Sequence, residues 1–149
     1  MRFWDSSALV ALLVDEPDSA LRRRQLTDDP MMAVWWTAEV ECESAIQRRL
    51  REAAISRAAA RLAWERLAQL AAAWHEVVPT PAVRRLAIRL LRTHPLRAAD
   101  ALQLAAALTL AASGLAGVGF VSADRRLIEA AHIENLDVFT AEMGHRMHR

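Results

Sequence analysis

The sequence has no tyrosine, one cysteine and four glycines among 149 residues. A single cysteine cannot close an internal disulfide, so nothing calls for an oxidising compartment. There is no internal repeat and no low-complexity linker. Charge of one sign is missing too. The basic and acidic residues number 19 and 18, for a formal net charge of +1, so no bulk field draws nucleic acid to the chain, and any such binding must be local. No apolar run reaches the ~20 residues of a membrane span; the best candidate, Ala98 to Gly117, carries Asp100 and Gln103. The start lacks a secretion pattern, because Asp5 and then Asp15-Glu16 interrupt it. The expectation is a soluble, cytoplasmic protein.

What is present is an apolar, alanine-rich chain, 54% hydrophobic. Its length suits one domain, expected over residues 1–141, with 142–149 as a loosely ordered tail. Short apolar runs alternate with longer helical patterns. Strands are expected at Arg2–Trp4, Met31–Trp36, His75–Val78, Val118–Val121 and Val138–Phe139. Helices are expected from about Ser7 to Leu13, Ala20 to Leu26, Ala38 to Arg51, Ile55 to Trp74, Pro81 to Leu91, Arg97 to Ala112 and Asp124 to Ala131. On the long fourth helix, Ile55, Ala59, Leu62, Leu70 and Trp74 read as one apolar face with Leu67 beside it, and Arg66 towards water. The alternation implies a three-layer α/β/α sandwich around a mostly parallel sheet of about five short strands.

Four acidic residues stand out. Asp5 closes the first apolar strand, where ligands of parallel sheets bind. Asp124 repeats the pattern of strand, serine, carboxylate and helix. Asp100 lies one turn into an almost wholly apolar helix. Glu39, Glu41 and Glu43 alternate on another helix, and periodicity slightly favours Glu41 as the inward one without deciding it. Each has a plainer reading: Asp5 and Asp124 as helix caps, Asp100 as a first-turn dipole residue, Glu41 as a surface charge. Carboxylates gathered in one cleft require a counter-charge. With no paired His/Cys set for zinc, the fitting partner is a hard cation, Mg2+ or Mn2+. Such an ion activates water and clamps phosphate oxygens. Ser6 and Ser122 would orient a carboxylate or a phosphate oxygen, and neither has a histidine beside it to make it a nucleophile.

Four segments carry a family resemblance: Asp5-Ser6-Ser7-Ala8-Leu9, Val40-Glu41-Cys42-Glu43-Ser44-Ala45, Leu96-Arg97-Ala98-Ala99-Asp100-Ala101-Leu102-Gln103-Leu104-Ala105, and Phe120-Val121-Ser122-Ala123-Asp124-Arg125-Arg126-Leu127. In this order and spacing the chain resembles a PIN domain, and more narrowly the VapC-type ribonuclease toxins of toxin-antitoxin pairs. The resemblance implies Asp5, Glu41, Asp100 and Asp124 as the acidic cluster and so selects Glu41. It makes Asp5 and Asp100 the direct metal ligands. Asp124 would bind directly or through water, and Glu41 would act through water or help position a second metal or the attacking water. It further implies an RNA substrate, a cognate antitoxin and a homodimer. Trp35-Trp36, Trp64 and Trp74 are candidates for a groove that takes the antitoxin helix, with ordinary core packing as the plainer reading. Arg22 to Arg24, Arg48, Arg49, Arg51 and Arg97 are candidates for RNA contacts. Two other readings compete: a non-catalytic binding module of the same fold, and another phosphoryl-transfer enzyme such as a DNA nuclease. A phosphatase with two aspartates two residues apart is disfavoured, because Ser7 stands two residues after Asp5.

Overall fold

The computed structural model describes residues 1–140. Five strands form one sheet: β1 (Arg2–Trp4), β2 (Met32–Trp35), β3 (His75–Val77), β4 (Gly119–Val121) and β5 (Asp137–Phe139). Their order is β3-β2-β1-β4-β5, and all four pairings are parallel. The helices are α1 (Ser6–Leu13), α2 (Ser19–Asp28), α3 (Ala38–Arg51), α4 (Arg57–Ala73), α5 (Pro81–Thr93), α6 (Ala98–Ala111) and α7 (Arg125–Ile133). The architecture is the expected α/β/α sandwich. The expected tail, 142–149, lies outside the described residues.

Side chains alternate across a strand, and here both faces are covered. Phe3, Ala33, Trp35 and Phe120 enter one core with α5, α6 and α7. Trp4, Met32, Val34 and Val121 enter the other with α1, α3 and α4. That is why β2 and β4 read as unbroken apolar runs, while the edge strands β3 and β5 carry His75, Glu76 and Asp137. Phe3 and Phe120 face each other across the β1–β4 register and stack at 5.9 Å. Gly119 is required by a close approach: a Cβ there would lie 2.5 Å from the Phe139 ring.

Helix ends follow local chemistry. Ser56 caps α4 through the Ala59 N–H, and Thr80 caps α5 through the Val83 N–H, with Pro81 in the first turn. In α3 the first turn carries Glu39 and Glu41 and the last carries Arg48, Arg49 and Arg51, matching the helix dipole. The expected apolar face of α4 needs correction. Leu62 is exposed, and the buried stripe is Ala60, Ala63 and Leu67, with Leu70 and Trp74 packed beside it. Small alanines let α4 lie close to α3, and a stripe drawn through the large residues misses them. Arg66 also turns inward, where its guanidinium donates to the Leu13 carbonyl at 3.1 Å.

The strand order places the site. The chain moves from β1 to β2 and β3 on one side, then crosses back to lay β4 against the other side of β1. The crevice beyond the C-terminal ends of β1 and β4 is therefore the topological switch point, where such sheets bind ligands.

Candidate active site

Asp5 immediately follows β1, and its N–H continues the sheet ladder to the Val121 carbonyl at 2.9 Å. It occupies the N-cap position of α1, yet its carboxylate makes no cap bond. Instead Oδ2 accepts hydrogen bonds from Ser7 Oγ and from Ser122 Oγ, the latter at 2.8 Å. Each hydroxyl also accepts from the loop between β4 and α7: Ser7 Oγ from the Ala123 N–H at 3.0 Å, Ser122 Oγ from the Asp124 N–H at 3.1 Å. The two strand ends are thus laced together through one carboxylate oxygen. No donor among the described residues reaches Oδ1.

Asp5 is 3% exposed. Burial pushes its carboxyl from the ordinary 3.8 up to about 6; the two serine bonds pull it back, and the charges of Glu41 and Asp100 push it further up. Asp100, in the first turn of α6, is also raised, first by partial burial and then by Asp124 and Glu41, against an opposing hydrogen bond from the Arg97 backbone. These mutual effects tie the four acids together in space: Asp5 feels Glu41 and Asp100, and Asp100 feels Glu41 and Asp124.

Glu41 is the member of its trio that joins the cluster. Its Oε2 accepts from Ser6 Oγ at 2.7 Å, and Oε1 accepts from Thr37 Oγ1 at 2.5 Å and from Gln103 Nε2 at 3.1 Å. Glu43 turns away to Gln47 and Trp64, and Glu39 is exposed. The hydroxyls of Ser6 and Ser122 therefore have separate duties, Ser6 on Glu41 and Ser122 on Asp5. Asp124 differs from Asp5, for its Oδ1 caps α7 by accepting from the N–H groups of Arg126 and Leu127 at 2.9 and 3.2 Å.

Several contributors were not visible in the sequence as site residues. Ser7 and Thr37 orient carboxylates; Thr37 makes no cap bond to α3. Gln103, one turn beyond Asp100 on α6, is 1% exposed, and its Oε1 has no partner among the described residues. Arg22 belongs to a run of three arginines and is 1% exposed. Its guanidinium donates to Gln25 Oε1 and to the Ser122 carbonyl, each at 3.0 Å, and to Asp18 at 3.2 Å. Burial lowers its pKa, and the charges of Asp18 and Asp5 oppose that. Arg22 is thus a buried cation behind the acids, while Arg23 and Arg24 face solvent. Of the tryptophans, Trp35 is core and closed to a partner; Trp36 and Trp64 are exposed, and Trp74 is half-buried with its Nε1 on Glu76.

The donor set is all hard oxygen, with no histidine in the cluster and Cys42 buried with its thiol pushed up to about 12. Among the described residues no three His, Cys, Asp or Glu side chains stand close enough to enclose an ion. The acids are therefore an open set rather than a closed cage. Openness suits a cation that keeps waters and takes the rest of its ligands from phosphate.

Solved structures share this fold. The VapC20 toxin of Mycobacterium tuberculosis, described as cleaving the Sarcin-Ricin loop, is 18% identical with a TM-score of 0.64, covering 87% of this chain and 95% of its own. FitAcB from Neisseria gonorrhoeae is 16% identical with a TM-score of 0.64, covering 93% and 96%. VapBC2 from Rickettsia felis, solved bound to a promoter DNA fragment, is 12% identical with a TM-score of 0.63, covering 93% and 97%. No curated protein sequence matches the chain. The PIN domain family model matches residues 2–133, and the chain belongs to that family.

Proposed function

We propose that this protein is a metal-dependent endoribonuclease, the toxin of a toxin-antitoxin pair. One observation carries the reading: the carboxylates of Asp5, Glu41, Asp100 and Asp124 gather around the sheet's switch point closely enough for their charges to act on one another, and the most buried of them has an oxygen that no donor among the described residues satisfies. Asp5, through Oδ1, and Asp100 are the residues to hold Mg2+ or Mn2+. Glu41 has three donors on its two oxygens and acts through water. Asp124, with one oxygen committed to its cap, completes the acidic wall. A divalent ion held there supplies charge neutralisation at the phosphate and an acidified bound water.

The chain's own residues do the positioning. Ser7 and Ser122 fix the Asp5 carboxylate, and Ser6, Thr37 and Gln103 fix Glu41. Arg22 holds the Ser122 carbonyl and partly offsets the acids from behind. The fold neighbours include toxin-antitoxin complexes, which supports a cognate antitoxin as partner; a homodimer is part of the proposal. Among the described residues no helix is long and apolar enough to cross a membrane, and a cytoplasmic site of action is part of the proposal.

The test is cleavage of a cellular RNA pool by antitoxin-free protein in Mg2+, in Mn2+ and in chelator, beside folded Asp5→Asn and Asp100→Asn variants. The expected result is metal-dependent fragments that disappear in both variants. If RNA is bound and left intact under every condition, the protein is a binding module. Cleavage of DNA in place of RNA would make it a DNA nuclease.

A further inference from the structure

Beyond the acidic cluster the crevice continues as a groove of about 630 Å³ between α1 and α3, within the ~300–1,000 Å³ of ligand clefts. It starts at Ser6 and Glu41, passes Val10, Val40 and Ser44, and reaches Arg48. Glu41, Ser44 and Arg48 lie at helical spacings of three and four, on one face of α3. Seven residues separate Glu41 from Arg48, about 10 Å along the helix axis.

The charges and surfaces along it are specific. Glu16, on the far lip, is neutralised by Arg49 at 2.5 Å. Arg48 is exposed, and no carboxylate among the described residues pairs with it, so the groove ends in one uncommitted guanidinium. Val40 is 71% exposed on the wall, an apolar surface beside the exposed Ser44 hydroxyl. An acidic head, an apolar wall with a hydroxyl, and a cation one step away form a sequence of surfaces that alternates as a nucleotide does between base, sugar and phosphate.

We infer that this groove is the subsite for the nucleotide flanking the scissile bond, with Arg48 on the neighbouring phosphate and Val40 against its base or sugar. The inference rests on the nuclease reading and adds to it the direction in which the strand leaves the acids. The contact is to the backbone, so it supports affinity without choosing a sequence.

A short mixed-sequence single-stranded RNA labelled with fluorescein, titrated in chelator over a range of salt, tests it without cleavage. Arg48→Ala is expected to reduce the steepness of log affinity against log salt by about 0.7, the loss of one phosphate contact on a single strand. Ser44→Trp, which fills the groove and leaves charge unchanged, is expected to weaken binding about tenfold. Arg92→Ala, on α5 at the other face of the sheet, is expected to match the wild type. If Arg48→Ala keeps both affinity and slope, or Ser44→Trp binds as the wild type does, the groove does not carry the strand. Continued metal-dependent cleavage by the wild type would leave the nuclease reading standing in that event. A wild type that neither binds nor cleaves RNA removes both.

Discussion

Asp5 and Asp124 share one local pattern, a carboxylate at the junction between an apolar strand and a helix, and they end in different physical states. Asp124 is half-buried and spends an oxygen on the N–H groups of α7, as a capping residue does. Asp5 occupies the same position relative to α1, makes no cap bond, and is sealed behind two serines. The difference comes from the strands. Both β1 and β4 are interior strands, but Asp5 comes directly after β1 and still pairs with the Val121 carbonyl of β4, whereas Asp124 stands three residues beyond the end of β4. A cap is satisfied by its own helix. Asp5 depends on Ser7 in α1 and on Ser122 from the far end of the chain, an arrangement that suits the metal-holding role proposed for it.

The largest test of this contrast is Asp5→Asn. Cleavage is expected to fall on the order of 10²–10³-fold, as for loss of one preorganised charge-stabilising group. Stability should rise. An acid pushed from 3.8 to about 6 by folding carries a cost of about 3 kcal/mol at neutral pH, and the amide avoids it. Denaturant melts of metal-free protein would check this, and an Asp5→Asn protein less stable than the wild type would contradict the assignment.

The same cost sets a pH dependence. A carboxyl with a raised folded pKa binds more protons folded than unfolded, so its contribution favours folding below pH 3.8 and is lost as pH rises through about 6. Metal-free wild type should therefore lose up to about 3 kcal/mol over that window relative to Asp5→Asn.

Next in size is Ser122→Ala. Removing a group that orients a metal-binding side chain costs about 10–100-fold in activity or metal affinity. Titrating Mn2+ against cleavage rate should show the loss as weakened metal binding. The smallest effect separates Asp124→Ala from Asp124→Asn. Asparagine still caps α7, so the alanine variant should be about 1 kcal/mol less stable while both lose cleavage. Equal stabilities would mean that the cap contributes nothing.

Much of this was legible in the sequence. Each strand end is followed within two residues by Asp, Ser, Thr or Pro, residues that stop strands, so the elements were placed to within a residue or two and the parallel sheet followed. Asp5, Asp100 and Asp124 stand out because their neighbours are apolar. What was hidden needed the third dimension. Three consecutive arginines look alike, and only the packing of α2 against the β4 end turns Arg22 inward. Gln103 looks like a polar interruption of α6 until Glu41 is seen opposite. Among Glu39, Glu41 and Glu43, periodicity gave only a slight preference. On α4, alanine is too neutral to reveal a stripe, and Leu62 was misplaced for that reason.

The hydrogen bond from Ser122 to Asp5 spans 117 residues, and that from Arg22 to the Ser122 carbonyl spans 100. During synthesis the first of the acids leaves the ribosome early, and the strand that completes its surroundings leaves more than a hundred residues later. Closing so long a loop is slow relative to local helix formation. A nascent chain that has released Asp5, Glu41 and even Asp100 therefore has no assembled acid site until β4 inserts beside β1. The fold delays the assembly of its own acid cluster, and a chain interrupted before β4 lacks the Ser122 contact that fixes Asp5.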